Sequence, residues 1–275
     1  MMLFLQLLYL ALIFYGAVFL VVFVAQKRFI FYPTRTRHIL QESSAVSRLS
    51  LTSDGQTLQG WLLRPALANK KVIIYFGGNS EDIFNAADQF ENFSDTAVAL
   101  VNYRGYGTSS GTPGEKEFFR DALAVYDHIA VLYAPEKLFL MGRSLGASVA
   151  CHVAASRRAT GLILVSPFDT MESQIQRKFP LLPVGLLLRH KFNSLDSVPK
   201  ISIPVLILYG GNDNVVPPTQ TENLIRLMTG PKQLVYIAEA EHNTIEHFAE
   251  YELMILQFIA LSEENEFHYS LEEPL

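Results

Sequence analysis

The chain has 275 residues, is 49% hydrophobic and carries a formal net charge of −5, from 22 Lys and Arg against 27 Asp and Glu. That length and apolar content suffice for one large core, and no basic block runs through the chain, which argues against a nucleic-acid partner. Cys151 is the single cysteine, so an intramolecular disulfide and a Cys-rich zinc site are both excluded; within SVACHVAAS it reads as an ordinary buried helix position.

The first element is apolar throughout. From Leu7 to Ala25, LLYLALIFYGAVFLVVFVA holds no charge, amide or proline. As a helix it is about 28 Å long, near the hydrocarbon thickness of a bilayer. A cleavable signal peptide fits less well: no basic residue precedes the run, it is long for an h-region, and no small-x-small site ends it. The expectation is a single transmembrane anchor over residues 1–28. Lys27, Arg28, Arg35 and Arg37 follow the apolar run, and the positive-inside rule then puts the downstream domain on the cytoplasmic side. Residues 29–45, with FIFYPTRTR, read as a connector at the membrane surface.

The soluble domain is expected over 46–262, with a 263–275 acidic tail. SRLSLTS and TLQGWLL alternate around Asp54-Gly55, a hairpin signal. The pattern then changes. KVIIYF, TAVALVNY, KLFLMG, GLILVSP, PVLILYG and QLVYIAE are short, nearly continuous apolar runs. Such runs suit strands buried on both faces of a parallel sheet. Helical patterns separate several of them: GEKEFFRDALAVYDHIAVLY, SLGASVACHVAAS, TQTENLIRLMTG after Pro217-Pro218, and a long closing helix, TIEHFAEYELMILQFIALS. The expected architecture is a doubly wound, mostly parallel α/β sheet with right-handed crossovers. Residues from about 171 to 200 break the rhythm and read as a small helical cap over the carboxyl edge of the sheet, or else as a crossover helix with a ragged loop.

Chemistry gathers at that edge. Gly142-Arg143-Ser144-Leu145-Gly146 follows a strand and opens a helix, the context of a nucleophile elbow. A serine hydroxyl needs a base at neutral pH. Of seven histidines, His242 lies in the loop directly after the last strand; His247 falls inside the following helix. His38, His128, His152, His190 and His268 lie in the connector, helices, cap and tail. The base needs a carboxylate to hold its tautomer. Asp213 in GGNDN follows a strand, with Asp169 in SPFDT as its rival and an Asx turn as its structural alternative. The order Ser, Asp, His suits this architecture. For the oxyanion hole, the amides of Asn79 and Leu145 are the candidates. The alternative for Gly77-Gly78-Asn79 is a glycine turn before a helix capped by Asn79 or Ser80, with Glu81 and Asp82 as first-turn acids.

These motifs together resemble the α/β-hydrolase superfamily, and most nearly its membrane-anchored branch of lysophospholipase-like and monoacylglycerol lipase-like enzymes and protein depalmitoylases. The likeness runs through FIFYP, SDGQTLQGWLLRP, NYRGYGTSSGTPGE, MGRSLGASVA, LVSPFDT, VLILYGGNDNVVPP and AEHN. It implies Ser144 as nucleophile, Asp213 as triad acid and His242 as base. Two positions depart from the family pattern: Gly77-Gly78 stands where His-Gly is common, and Glu241 where a glycine often precedes the histidine. The expected activity is membrane-anchored hydrolysis of a lipid-like acyl ester or thioester through an acyl-enzyme, with no cofactor and no metal. A serine peptidase or amidase, and a non-catalytic binding protein on the same fold, are the alternatives.

Overall fold

The structure, a computed structural model, describes residues 1–34 and 40–263. Arg35, Arg37 and His38 of the connector, and the tail with His268, lie outside the described residues.

The hairpin pairs β1 (Val46–Ser53) with β2 (Gln56–Leu63), Ser53 opposite Gln56. Asp54 and Gly55 both take positive φ, 50° and 70°, as a two-residue turn matched to the strand twist requires. Six further strands follow: β3 (Lys71–Phe76), β4 (Ala97–Val101), β5 (Lys137–Arg143), β6 (Gly161–Val165), β7 (Val205–Gly210) and β8 (Lys232–Ile237). They form one sheet in the order β1-β2-β4-β3-β5-β6-β7-β8. β2 runs antiparallel to β1 and β4, and β4, β3, β5, β6, β7 and β8 run parallel. The continuous apolar runs are explained by burial from both sides: every residue of β4, β6 and β7 is buried. β8 is the edge, and only Ile237 of it is buried.

The helices are α1 (Met2–Ile30), α2 (Glu115–Tyr133), α3 (Leu145–Ala154), α4 (Met171–Lys178), α5 (Val184–Leu187), α6 (Pro218–Leu227) and α7 (Ala249–Glu263). α2, α3 and α6 cover one face through Phe118, Val149, Val153 and Leu224. α7 and the 3-10 segment Asn85–Phe90 cover the other, with Phe90, Ile255 and Phe258. Ile30 and Phe31, at the end of α1, are buried in the first of these cores. Phe31 meets the rings of Phe118 and Phe192 at 5.3 and 6.0 Å between centroids.

Two helices differ from expectation. No α-helix joins β3 to β4; the crossover holds only the 3-10 segment. Its sequence is rich in Asn, Asp and Ser, which offer the backbone local partners, and Asp82 Oδ1 accepts the Phe84 amide at 3.1 Å. The closing helix starts at Ala249 rather than Thr244, because Phe248 is extended at φ −86°, ψ 138°. His247 therefore sits exposed in the 3-10 turn Ile245–His247 and not in the helix. Between β6 and β7, α4 and α5 form the small helical cap. The Thr170 side chain opens α4 by accepting the Ser173 amide.

Cys151 lies wholly buried inside α3, and burial pushes its thiol up to about 12. A chromogenic disulfide reagent at pH 8 is expected to leave the native thiol untouched and to titrate one thiol after denaturation. Rapid reaction of folded protein would contradict this burial.

Candidate active site

The turn between β5 and α3 is a single residue. Ser144 stands there at φ 52°, ψ −113°, a conformation a side chain enters only under constraint. The constraint is visible. Ser144 N donates to Val165 O at 2.8 Å, and Ser144 O accepts Ala147 N at 3.0 Å. A Cβ on Gly142 would lie 2.2 Å from Gly146 O, and one on Gly146 would lie 1.9 Å from Phe76 O. Glycine at both positions is therefore a packing requirement: α3 crosses β5 and β3 too closely for any side chain.

Two other loops reach the same point from the carboxyl ends of their strands. His242, after β8, brings Nε2 to 3.1 Å from Ser144 Oγ, and its Nδ1 to 2.7 Å from Asp213 Oδ2, after β7. Asp213 is buried. Its other oxygen, Oδ1, accepts the amides of Val215 and Val216 at 2.9 and 2.7 Å. The carboxylate thus makes an Asx-type turn with one oxygen and faces the imidazole with the other. Asp169, the rival, accepts Thr170 N and Asn223 Nδ2 instead. Among the other histidines, His152 stacks on Phe119, and His190 accepts the Glu115 amide. Burial lowers the pKa of both. Glu241 is exposed.

The sequence reading passed over Arg143, the residue just before Ser144. Its Nη2 donates to the His242 carbonyl at 2.9 Å, and its Nη1 meets Glu246 at 3.2 Å. Burial works to lower the Arg143 pKa, but Tyr75, Glu81 and Glu246 outweigh it and raise the value, so the guanidinium stays charged. One cation thereby ties the elbow to the histidine loop. Only the fold could reveal this, since the two ends lie 99 residues apart.

The Gly77-Gly78-Asn79 loop is braced from several sides. Glu81 accepts the Gly78 amide at 2.7 Å and the Tyr75 hydroxyl at 2.8 Å. Glu81 thus holds this loop; it is not the first-turn acid of a helix. Burial, then Glu81, pushes the Tyr75 pKa well up, which keeps the phenol a donor. Tyr103 donates to Gly77 O at 2.9 Å. Asn79 Oδ1 accepts Tyr106 Oη at 2.8 Å and Tyr32 N at 3.3 Å, while its Nδ2 donates to Ile30 O at 2.6 Å. Between the two tyrosines, Arg104 pairs through Nε with Asp121 of α2 at 2.7 Å, which fastens the bracing loop to the core. Leu145 is the first residue of α3, where a helix leaves amides without intrahelical partners. Gly78, Asn79, Ser144, Leu145 and His242 all line one cavity of about 860 Å³. Among the described residues, no three His, Cys, Asp or Glu side chains gather where they could hold a metal ion.

Known proteins resemble this chain in sequence and fold. A family model described as serine aminopeptidase, S33, matches residues 68–195. An esterase of Pyrococcus furiosus superposes with a TM-score of 0.70 at 18% identity, covering 85% of this chain and 98% of that one. The alpha/beta hydrolase domain-containing protein 17B of Xenopus laevis is 26% identical over 217 residues, 77% of this chain and 74% of the relative. An uncharacterized protein of Mycobacterium tuberculosis is 30% identical over 197 residues, 70% of each chain. The chain belongs to the α/β-hydrolase superfamily. Its elbow and loops stand at the carboxyl ends of the central strands. A membrane phospholipase A also shares the fold, with a TM-score of 0.63 at 18% identity over 96% of this chain and 99% of its own.

Where the family often has a histidine, this α/β hydrolase relies on Glu81 and Tyr103 to hold the glycine loop. Replacing Glu81 with Ala leaves the Tyr75 hydroxyl and the Gly78 amide without their acceptor, at about 1–3 kcal/mol for each buried group. Urea unfolding of Glu81→Ala should show that loss, and Glu81→Gln, which keeps an acceptor, should lose less. Equal stability of Glu81→Ala and wild type would mean the loop is held by other contacts.

Proposed function

We propose that this chain is a membrane-anchored serine hydrolase that cleaves acyl esters or thioesters of lipid-like substrates. The observation that carries the reading is the unbroken line from Ser144 through His242 to Asp213, at 3.1 and 2.7 Å. Ser144 Oγ attacks the acyl carbonyl as His242 Nε2 takes its proton. Asp213 orients the imidazole and stabilises its cation. The oxygen of the tetrahedral intermediate accepts from the amides of Asn79 and Leu145, each donor lowering the barrier by roughly 3 kcal/mol. His242 then gives its proton to the departing alcohol or thiol, leaving an acyl-enzyme. Water activated by the same imidazole attacks that ester, and Ser144 leaves with the proton.

The lipid-like substrate is supported by the apolar residues that cap and anchor contribute to the cavity. The esterase and the membrane phospholipase A among the structural neighbours fit the same reading. The anchor is supported by α1, 29 residues long with a mean hydropathy of 2.7 in its most apolar window, none of which is buried against the protein. A removable signal sequence suits it poorly in physical terms: Gln26, Ile30 and Phe31 at its end are buried in the domain, so cleavage would take core residues away. Lys27 and Arg28 at that end favour a cytoplasmic domain.

The family-model description favours one other reading, an aminopeptidase. Such an enzyme needs a carboxylate for the substrate's ammonium group. Among the described residues lining the cavity the one carboxylate is Glu81, whose oxygens already accept from Tyr75 and Gly78. The ester reading therefore stands ahead.

Full-length protein in detergent is expected to react with a fluorophosphonate probe, with labelling abolished in Ser144→Ala and reduced in His242→Ala. Asp213→Asn should lower kcat on an acyl ester by on the order of 10³–10⁴, with the fold intact by circular dichroism. Folded wild type that takes up no probe and turns over no ester would overturn the assignment.

A further inference from the structure

The sheet and cap alone do not close the cavity beside Ser144. One wall is α1: Val22, Gln26, Phe29 and Ile30 face the same space as Met171 and Leu187 of the cap. The cap is also fastened along that helix. Gln26 Nε2 donates to Leu187 O at 3.3 Å, and Gln26 Oε1 accepts Arg189 N at 2.8 Å. The Arg189 guanidinium lies 3.8 Å above the Phe23 ring. Farther up, Tyr15 Oη reaches Leu181 O at 3.5 Å. From Gln26 back to Tyr15 the helix rises about 17 Å, more than half of a hydrocarbon core of about 30 Å.

The cap surface beside this stretch is apolar and open. Phe179 is 54% exposed, Leu186 81% and Leu181 90%. Large apolar groups clustered next to a bare apolar helix mark a surface whose medium is something other than water. If α1 crosses a bilayer, these side chains enter the same layer with it. The cavity then runs from acyl-chain depth down to Ser144; its polar lining includes Asn79, Arg143 and His242 with Ser144, and Gln26, Gln174 and Lys178 from the helix and cap. A volume of about 860 Å³ lies within the range of about 300–1,000 Å³ that small-molecule sites occupy.

We infer that this cavity is a groove for a long acyl chain, walled jointly by α1 and the cap and open sideways to the bilayer, so that the membrane helix is part of the substrate site. The inference rests on the hydrolase and anchor readings given above. An acyl chain slides along Val22 and Phe29 without leaving an apolar medium, and its carbonyl arrives at Ser144. Val22 then limits the width of the groove, and chain-length preference is a property of the anchor as well as of the cap.

The test uses full-length protein in phosphatidylcholine vesicles with nitrophenyl acetate and nitrophenyl palmitate. Val22→Trp should reduce kcat/KM for the palmitate relative to the acetate by about tenfold or more, with Ser144 still labelled by the fluorophosphonate. Val24→Trp, on the outward side of the same helix where Val24 is 70% exposed, should leave both esters unchanged. An unaltered palmitate-to-acetate ratio in folded Val22→Trp overturns the groove and leaves the hydrolase reading standing. Absence of labelling and of acetate turnover in wild type overturns both. A measurement on the unmodified chain guards against a misfolded variant: a palmitoyl-like fluorophosphonate with a diazirine on its chain, bound at Ser144, should crosslink to α1 and α4. Crosslinks confined to other elements overturn the groove.

Discussion

The crossing of α3 over β5 and β3 is the constraint on which the rest depends. At Gly146 the helix backbone comes so near Phe76 O that a Cβ would stand 1.9 Å away. This contact fixes where α3 begins, and so where Ser144 stands. It also forces the strained backbone of Ser144, which the Val165 and Ala147 hydrogen bonds then hold. Strain of this kind costs of order 1–3 kcal/mol; the buried small-residue face of α3 against the sheet offsets it. The run of small residues after Ser144 is thus the same requirement seen along the helix.

A second layer of constraint is polar. The glycine loop, the histidine loop and the elbow are separate in sequence, and each is too short to fix its own geometry. Two partly buried residues hold them through backbone partners: Glu81 braces its own loop at Gly78 N, and Arg143 ties the elbow to the histidine loop at His242 O. Each is a polar group in a partly buried place, and each is matched by hydrogen bonds that offset the desolvation. A network of this kind favours one arrangement over many, because leaving any member unpaired is expensive. The tyrosines after β4 extend it, with Tyr103 on Gly77 O and Tyr106 on Asn79.

Much of this was legible in the chain, for identifiable reasons. Strands buried on both faces leave continuous apolar runs, so β3 to β7 could be read directly, while the partly exposed edge strand β8 was read from a similar run. The hairpin was readable because only a few residue pairs adopt two successive positive φ angles. The loops carrying Ser144, Asp213 and His242 were readable because glycine, turn residues and strand ends punctuate the sequence where the backbone changes direction. What remained hidden was non-local or weakly periodic. The crossover after β3 lacks helical periodicity and folded as a 3-10 segment. Phe248 breaks the closing helix without a proline or glycine to announce it. The role of Arg143 depends on a partner 99 residues away that only the fold brings near; Glu81 meets Gly78 and Tyr75, close in sequence, but reading it as a first-turn acid assumed a helix that does not form.

The same limit applies to the first helix. Composition identifies an apolar rod and suggests a tether, because a tether is all that hydropathy can describe. Its last turn tells a different story. Ile30 and Phe31 are buried in the domain core, Ile30 O and Tyr32 N both bond the side chain of Asn79, and Gln26 bonds the cap on two sides. A tether that merely held the domain near a membrane would gain nothing from these contacts, and a flexible connector would serve it better. Rigid docking has a different consequence: it fixes the angle between α1 and the domain and the distance from α1 to Ser144. It also makes the shape of the glycine loop depend on how α1 ends. The domain and its apolar helix are therefore one folded unit, joined by the same hydrogen bonds that shape the cleft.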